Sequence, residues 1–142
     1  MKILDANLLL YALNRDTPLH TKAKAWLERS LAGDEPVAFA WSVILAFLRL
    51  TTRPGIFRKP LSPEHAFDVV AAWLAEPAAR LVAPGPRHLS ILRSLLTPLG
   101  TAGNLASDAH LAALAIEQNA QLCSCDADFA RFPALDWQNP LR

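Results

Sequence analysis

Asp5, Asp108 and Asp126 each stand where an apolar run gives way to a loop or to the start of a helix. Asp5 follows Ile3-Leu4, Asp126 follows the run from Ala120 to Cys125, and Asp108 lies near the start of a long Ala/Leu helix, within its apolar stripe. A carboxylate in such a place loses hydration and repels like-charged neighbours unless a cation or a donor compensates. Three that meet at one sheet edge make a site for a divalent ion, and oxygen donors favour Mg2+ or Mn2+. Each acid also has a plainer role. Asp108 suits the first turn of a helix as a favourable charge, and Asp126 suits a helix cap or, with Asp128, a strand terminator. Asp5 is the hardest to explain that way, because a cap needs no apolar strand before it.

The elements that must position these acids follow from periodicity and turn residues. Lys2 to Asp5 is a short buried strand, and Asn7 to Leu13 is a helical turn or two. Pro18 to Leu31 is an amphipathic helix with Ala23, Trp26 and Leu27 inward, Pro36 to Ala40 a brief strand, and Trp41 to Thr52 a helix with Val43, Phe47 and Leu50 on its core side. Arg53 to Pro60 holds two prolines and a glycine and is a loop. Pro63 to Leu74 is helical, Arg80 to Ala83 a strand, Pro86 to Leu96 a helix, and Leu105 to Gln118 the small-residue helix. Gln121 to Cys125 and a short edge near Trp137 are the last strands.

Strands alternating with helices imply βαβ units and an α/β fold of three layers: a mostly parallel sheet of four to five strands with helices on both faces. No repeat, low-complexity tract or linker interrupts residues 1–142, so a single domain is expected. In such a sheet, ligands bind beyond the carboxyl ends of the strands, where Asp5 and Asp126 stand. The small residues Ala109, Ala112, Ala113 and Ala115 let their helix approach the sheet closely enough to bring Asp108 to the same rim.

Composition sets the remaining bounds. With 52% hydrophobic and 19% charged residues, a packed globule is expected rather than disorder. A formal net charge of +1 means that any attraction for nucleic acid must be local. Cys123 and Cys125 are one residue apart, which is not the spacing of a redox or zinc motif, and they read as small buried hydrophobes. The charge-free run from Ala6 to Asn14 is too short to span a membrane and shows no clear signal-peptide pattern, so a soluble cytoplasmic protein is expected.

Three segments carry a resemblance: Ile3-Leu4-Asp5-Ala6-Asn7-Leu8-Leu9-Leu10-Tyr11-Ala12, Ser107-Asp108-Ala109-His110-Leu111-Ala112-Ala113-Leu114-Ala115, and Cys125-Asp126-Ala127-Asp128-Phe129. In order and spacing they resemble the best-marked blocks of PIN-domain nucleases, above all the VapC-type toxins of bacterial and archaeal toxin–antitoxin pairs. The closing segment from Phe132 to Leu141 is similar to the tail of one branch of that family. The resemblance implies a PIN-like domain that hydrolyses RNA with Mg2+ or Mn2+. Asp5, Asp108 and Asp126 would match its metal-binding acids, with Asp128 an outer or alternative ligand. Asn7 would hydrogen-bond a ligand or water. The resemblance further implies a homodimer held inactive by a small VapB-type antitoxin.

One departure stands out. The family usually has a glutamate on the third helix, and here that position is Ala46, followed by Phe47-Leu48-Arg49. Ser42, Ala46, Arg49 and Arg53 share one helical face. Three explanations stay open: a branch working with three acids, a decayed nuclease, or an engineered inactivation. Arg49, Arg53, Arg58 and Lys59 form the densest basic cluster, able to grip RNA phosphates if it borders the acidic rim, with a solvated basic loop as the alternative. His110 is a candidate proton shuttle, but two positions on from Asp108 it faces elsewhere, which suits helix packing better.

Two rival readings remain. A non-catalytic PIN-like module that binds RNA or an antitoxin is motivated by Ala46. Phosphoryl transfer on Asp5, as in haloacid-dehalogenase-like phosphatases or response-regulator receivers, requires a late strand-end lysine, and no lysine follows Lys59.

Overall fold

The computed structural model describes all of residues 1–142. Five strands, β1 (Lys2–Leu4), β2 (Val37–Ala40), β3 (Ala79–Val82), β4 (Gln121–Cys123) and β5 (Trp137–Gln138), form one sheet in the order β3-β2-β1-β4-β5. Every pairing is parallel. Helices α1 (Ala6–Leu13), α2 (His20–Ala32), α3 (Trp41–Thr52) and α4 (Pro63–Leu74) lie in the first two crossovers, and α5 (His88–Leu96) and α6 (Ala106–Glu117) lie between β3 and β4. The first four helices pack on one another, and α5 packs on α6. Because parallel crossovers are right-handed, the reversal of direction at β1 puts these two groups on opposite faces. That is the three-layer α/β architecture expected from the sequence.

β1, β2 and β4 are short apolar segments almost wholly removed from water: Ile3, Leu4, Val37, Ala38, Phe39, Ala40, Leu122 and Cys123 are all buried. A parallel sheet covered on both faces imposes this, since neither side of a central strand meets solvent. Against them pack Leu8 and Leu9 of α1, Val43, Ile44 and Phe47 of α3, and the small buried face of α6 from Ala109 to Ala115. The cysteines are free thiols, and burial pushes Cys123 up to about 12, so it is inert at neutral pH.

Boundaries differ from the sequence reading in instructive places. α3 and α4 run over the expected residues; Ser62 caps α4 by accepting from the His65 N–H, and Pro63 occupies its first turn. Leu50, expected on the core side of α3, is only half-buried, while Ile44 and Thr51 are inside. Thr51 hides its hydroxyl by donating to the Phe47 carbonyl, so a polar residue fits the packed face. The fourth strand stops at Cys123, two residues early, because the chain turns there to build the site described below. No helix is long and apolar enough to cross a membrane.

Candidate metal-dependent active site

The strand order reverses at β1, so the crevice of this sheet opens at the carboxyl ends of β1 and β4. Leu4 pairs with Cys123, which sets Asp5 beside Ser124 as both strands end, and the Asp5 N–H donates to the Cys123 carbonyl at 3.0 Å. Asp5 is the N-cap of α1, its Oδ1 accepting from the Ala6 N–H at 2.7 Å. The plainer capping role is therefore real, and it fixes the carboxylate at the rim.

Ser124 is the hub of the junction and is fully buried. Its hydroxyl donates to Asp5 Oδ2 at 2.6 Å and accepts from Asn7 Nδ2 at 3.1 Å and from the Asp126 N–H at 3.0 Å. A hydroxyl has one proton and two lone pairs, and all three are in use. Asn7 closes the ring: its Oδ1 accepts from the Cys125 N–H at 3.3 Å, and Nδ2 also lies 3.4 Å from Asp5 Oδ2. Asn7, expected to hydrogen-bond a ligand or water, has both amide hydrogens committed inside this ring. Ser124 was missed from sequence, where a serine between two cysteines reads as an ordinary strand end.

Asp126 caps the short 3-10 helix Ala127–Arg131, its Oδ1 accepting from the Asp128 N–H at 2.8 Å. This turn swings Asp128 back toward α6. Asp108, in the first turn of α6, meets both: one carboxylate oxygen from each of Asp108, Asp126 and Asp128 lies within 4.8 Å of the others. Asp128, expected as an outer or alternative ligand, belongs to the tightest group. Asp5 is not part of that group; it shares with Asp108 a cleft of about 180 Å³ whose walls include Ser42, Ala46 and Arg49 of α3 and Ser107 of α6.

Electrostatics mark this as a strained collection of like charges. Burial holds the Asp5 carboxyl above its ordinary value, outweighing the lowering hydrogen bonds from Ser124 and Ala6, and Asp126 adds to the rise. Asp108 is raised first by burial, then by Asp126, Asp5 and Asp128. The only ion pair in the group is the Arg131 to Asp128 contact at 3.8 Å. Hard oxygen donors at this spacing, short of positive charge, fit a divalent cation that keeps part of its water shell.

Of the basic cluster, Arg49 lines the cleft, whereas Arg53 is the exposed C-cap of α3. Arg58 reaches Asp16 at 3.8 Å, and Lys59 is exposed in the loop, so the cluster is divided rather than gathered at the rim. Ala46 lies on the cleft wall, where a longer acidic side chain would face Asp5 and Asp108. His110 Nδ1 lies 3.0 Å from His88 Nε2, so it joins α6 to α5. Burial and His88 lower its affinity for a proton.

The PIN domain family model matches residues 2–135, nearly the whole chain. The chain belongs to the PIN domain family. Among curated relatives it is similar to Ribonuclease VapC37 of Mycobacterium tuberculosis, 50% identical over 140 residues, covering 99% of this chain and 97% of that protein. It is also 42% identical to Ribonuclease VapC33 of the same species over 142 residues, covering all of this chain and 99% of the relative. Within the family, the chain is thus of the VapC ribonuclease type. VapBC2 from Rickettsia felis, solved with a promoter DNA fragment, has a chain with the same fold (TM-score 0.73, 21% identity, 97% of both chains). So does VapBC-1 from nontypeable Haemophilus influenzae (TM-score 0.72, 16% identity, 99% of this chain and 98% of that one). In this PIN-domain chain Asp5 and Asp126 follow the strands at the topological switch of the sheet, and Asp108 and Asp128 join Asp126 there in one acidic group.

Proposed function

We propose that this protein is a Mg2+- or Mn2+-dependent endoribonuclease, the toxin of a toxin–antitoxin pair, acting as a single domain over residues 1–142. The observation that carries the reading is the convergence of Asp108, Asp126 and Asp128 beside a cleft that Asp108 shares with Asp5. The curated relatives are ribonucleases by name, and two solved neighbours are VapBC complexes, which supports an RNA substrate and a VapB-type antitoxin. Cytoplasmic action and a homodimer complete the proposal.

Asp108, Asp126 and Asp128 would hold the ion, with Asp5 contributing from the cleft it shares with Asp108. Bound there, the cation supplies a water of lowered pKa and charge stabilisation at a phosphodiester. The chain's own groups supply the geometry. Ser124 holds Asp5 and the Asp126 turn at one register, so the acids keep their spacing when no ion is present. Asn7 locks that turn through the Cys125 N–H and acts by positioning. Arg49 offers the cleft its one cation, placed to take a phosphate, and Arg53 extends that attraction beyond the helix end. A single strand or loop fits this open rim better than a duplex.

Purified protein incubated with structured RNA and Mn2+ tests the reading. Products are expected, and both EDTA and Asp126→Asn abolish them. RNA binding without products would favour the second reading, a PIN-like binding module, for which Ala46 on the cleft wall is the specific motive.

A further inference from the structure

Three of the four tryptophans have a partner within the chain. Trp73 packs against Phe39 and Phe47, the Trp137 indole N–H donates to the Ser124 carbonyl at 3.0 Å, and Lys2 Nζ sits 5.8 Å from the Trp26 ring. Trp41 pairs with no other aromatic ring and is 55% exposed. An indole more than half in water forgoes much of the apolar gain that its full burial would bring.

We propose that Trp41 is a stacking platform for an unpaired base of the RNA substrate, placed by the first turn of α3 beside the acidic cleft. This rests on the ribonuclease reading above. α3 begins at the residue after β2, so Trp41 stands on the same carboxyl edge of the sheet as Asp5, one strand away. At about 100° per residue, Leu45 and Arg49 lie about 40° and 80° round the helix from Trp41. The cleft-wall residues Ser42 and Ala46 lie at about 100° and 140° by the same geometry. The exposed ridge of Trp41 and Leu45 therefore runs into the cleft through Arg49. Trp41 and Arg49 are about 12 Å apart along the axis, a span suited to a base on the ring and a phosphate of the same strand on the guanidinium. Every base has a π face, so this contact grips single strands and is closed to a base held in a duplex.

The test is steady-state cleavage of a single-stranded RNA oligonucleotide with Mn2+. Trp41→Ala raises KM about tenfold, the loss of one base–aromatic stack, and leaves kcat unchanged. Trp41→Phe restores most of the affinity. A scan of abasic nucleotides finds one position whose removal costs the wild type about tenfold and Trp41→Ala nothing. Equal KM values for wild type and Trp41→Ala overturn the proposal, as does an abasic scan that penalises both proteins alike. A Trp41→Ala protein with unchanged RNA kinetics but weakened capture of a co-expressed antitoxin assigns the ridge to a protein partner and likewise overturns it. Should the wild type cut no RNA, the nuclease reading fails by itself. Fluorescence anisotropy with the same labelled strand then decides the matter: tenfold weaker binding by Trp41→Ala supports the platform, and equal binding removes it.

Discussion

Replacing Ser124 by alanine removes one oxygen and disturbs three groups. The Asp5 carboxylate loses a donor at 2.6 Å, and the Asn7 amide and Asp126 N–H lose their acceptor, all in a partly or fully buried setting. A hydrogen bond to a charged group contributes roughly 1.5–3 kcal/mol, and a neutral one about 1 kcal/mol. Some of this is recovered by local relaxation, which leaves about 3 kcal/mol of lost stability at neutral pH. For a chain of this length that is a fall in Tm of about 10 °C. The penalty depends on pH in a definite direction. The Ser124 bond lowers the Asp5 pKa by favouring its charged form, so Ser124→Ala lets Asp5 rise further. Once Asp5 is protonated, a lost donor matters less, so the deficit at pH 4.5 is smaller than at pH 8. Side chains that orient metal ligands typically carry about 10- to 100-fold in activity, and a loss of that order in kcat/KM is expected with Mn2+. Calorimetry of wild type, Ser124→Ala and the control Ser94→Ala, whose exposed hydroxyl bonds only within its own helix, supplies the comparison. A Tm drop below about 3 °C, or one of the same size at both pH values, refutes the hub role.

Two further outcomes concern the acids. Asp5 and Asp108 both have raised values in the folded chain, so the native state binds more protons than the unfolded state between their ordinary and raised values. Stability in EDTA therefore falls as pH rises through that window, and saturating Mn2+ flattens the fall; a metal-free Tm that climbs across the same range contradicts the crowding of charge. Ala46→Glu adds a carboxylate facing Asp5 and Asp108. It should lower the Tm in EDTA and enlarge the stabilisation by Mn2+, measured by thermal shift, whereas an unchanged Mn2+ response means that position 46 does not reach the ion.

What the sequence determined by itself is what local chemistry controls. Apolar runs of three to five residues, alternating with helical periods, dictate a parallel sheet, and the rule that such sheets bind ligands at carboxyl ends already selects Asp5 and Asp126. Ser62-Pro63 announces the start of α4, and the alanines of α6 announce close packing on the sheet. The tertiary structure alone decided which acids meet. Asp128 joins Asp108 and Asp126 because the Asp126 cap folds the chain into a 3-10 turn, in which the Asp128 N–H donates to the Asp126 carboxylate. The division of the basic cluster, with Arg49 in the cleft and Arg58 on Asp16, depends on where a proline-rich loop leaves α3. Ser124 and Asn7 are joined across 117 positions of chain, and no local pattern encodes such a pairing. It exists because Leu4 and Cys123 are register partners, and register is a property of the assembled sheet.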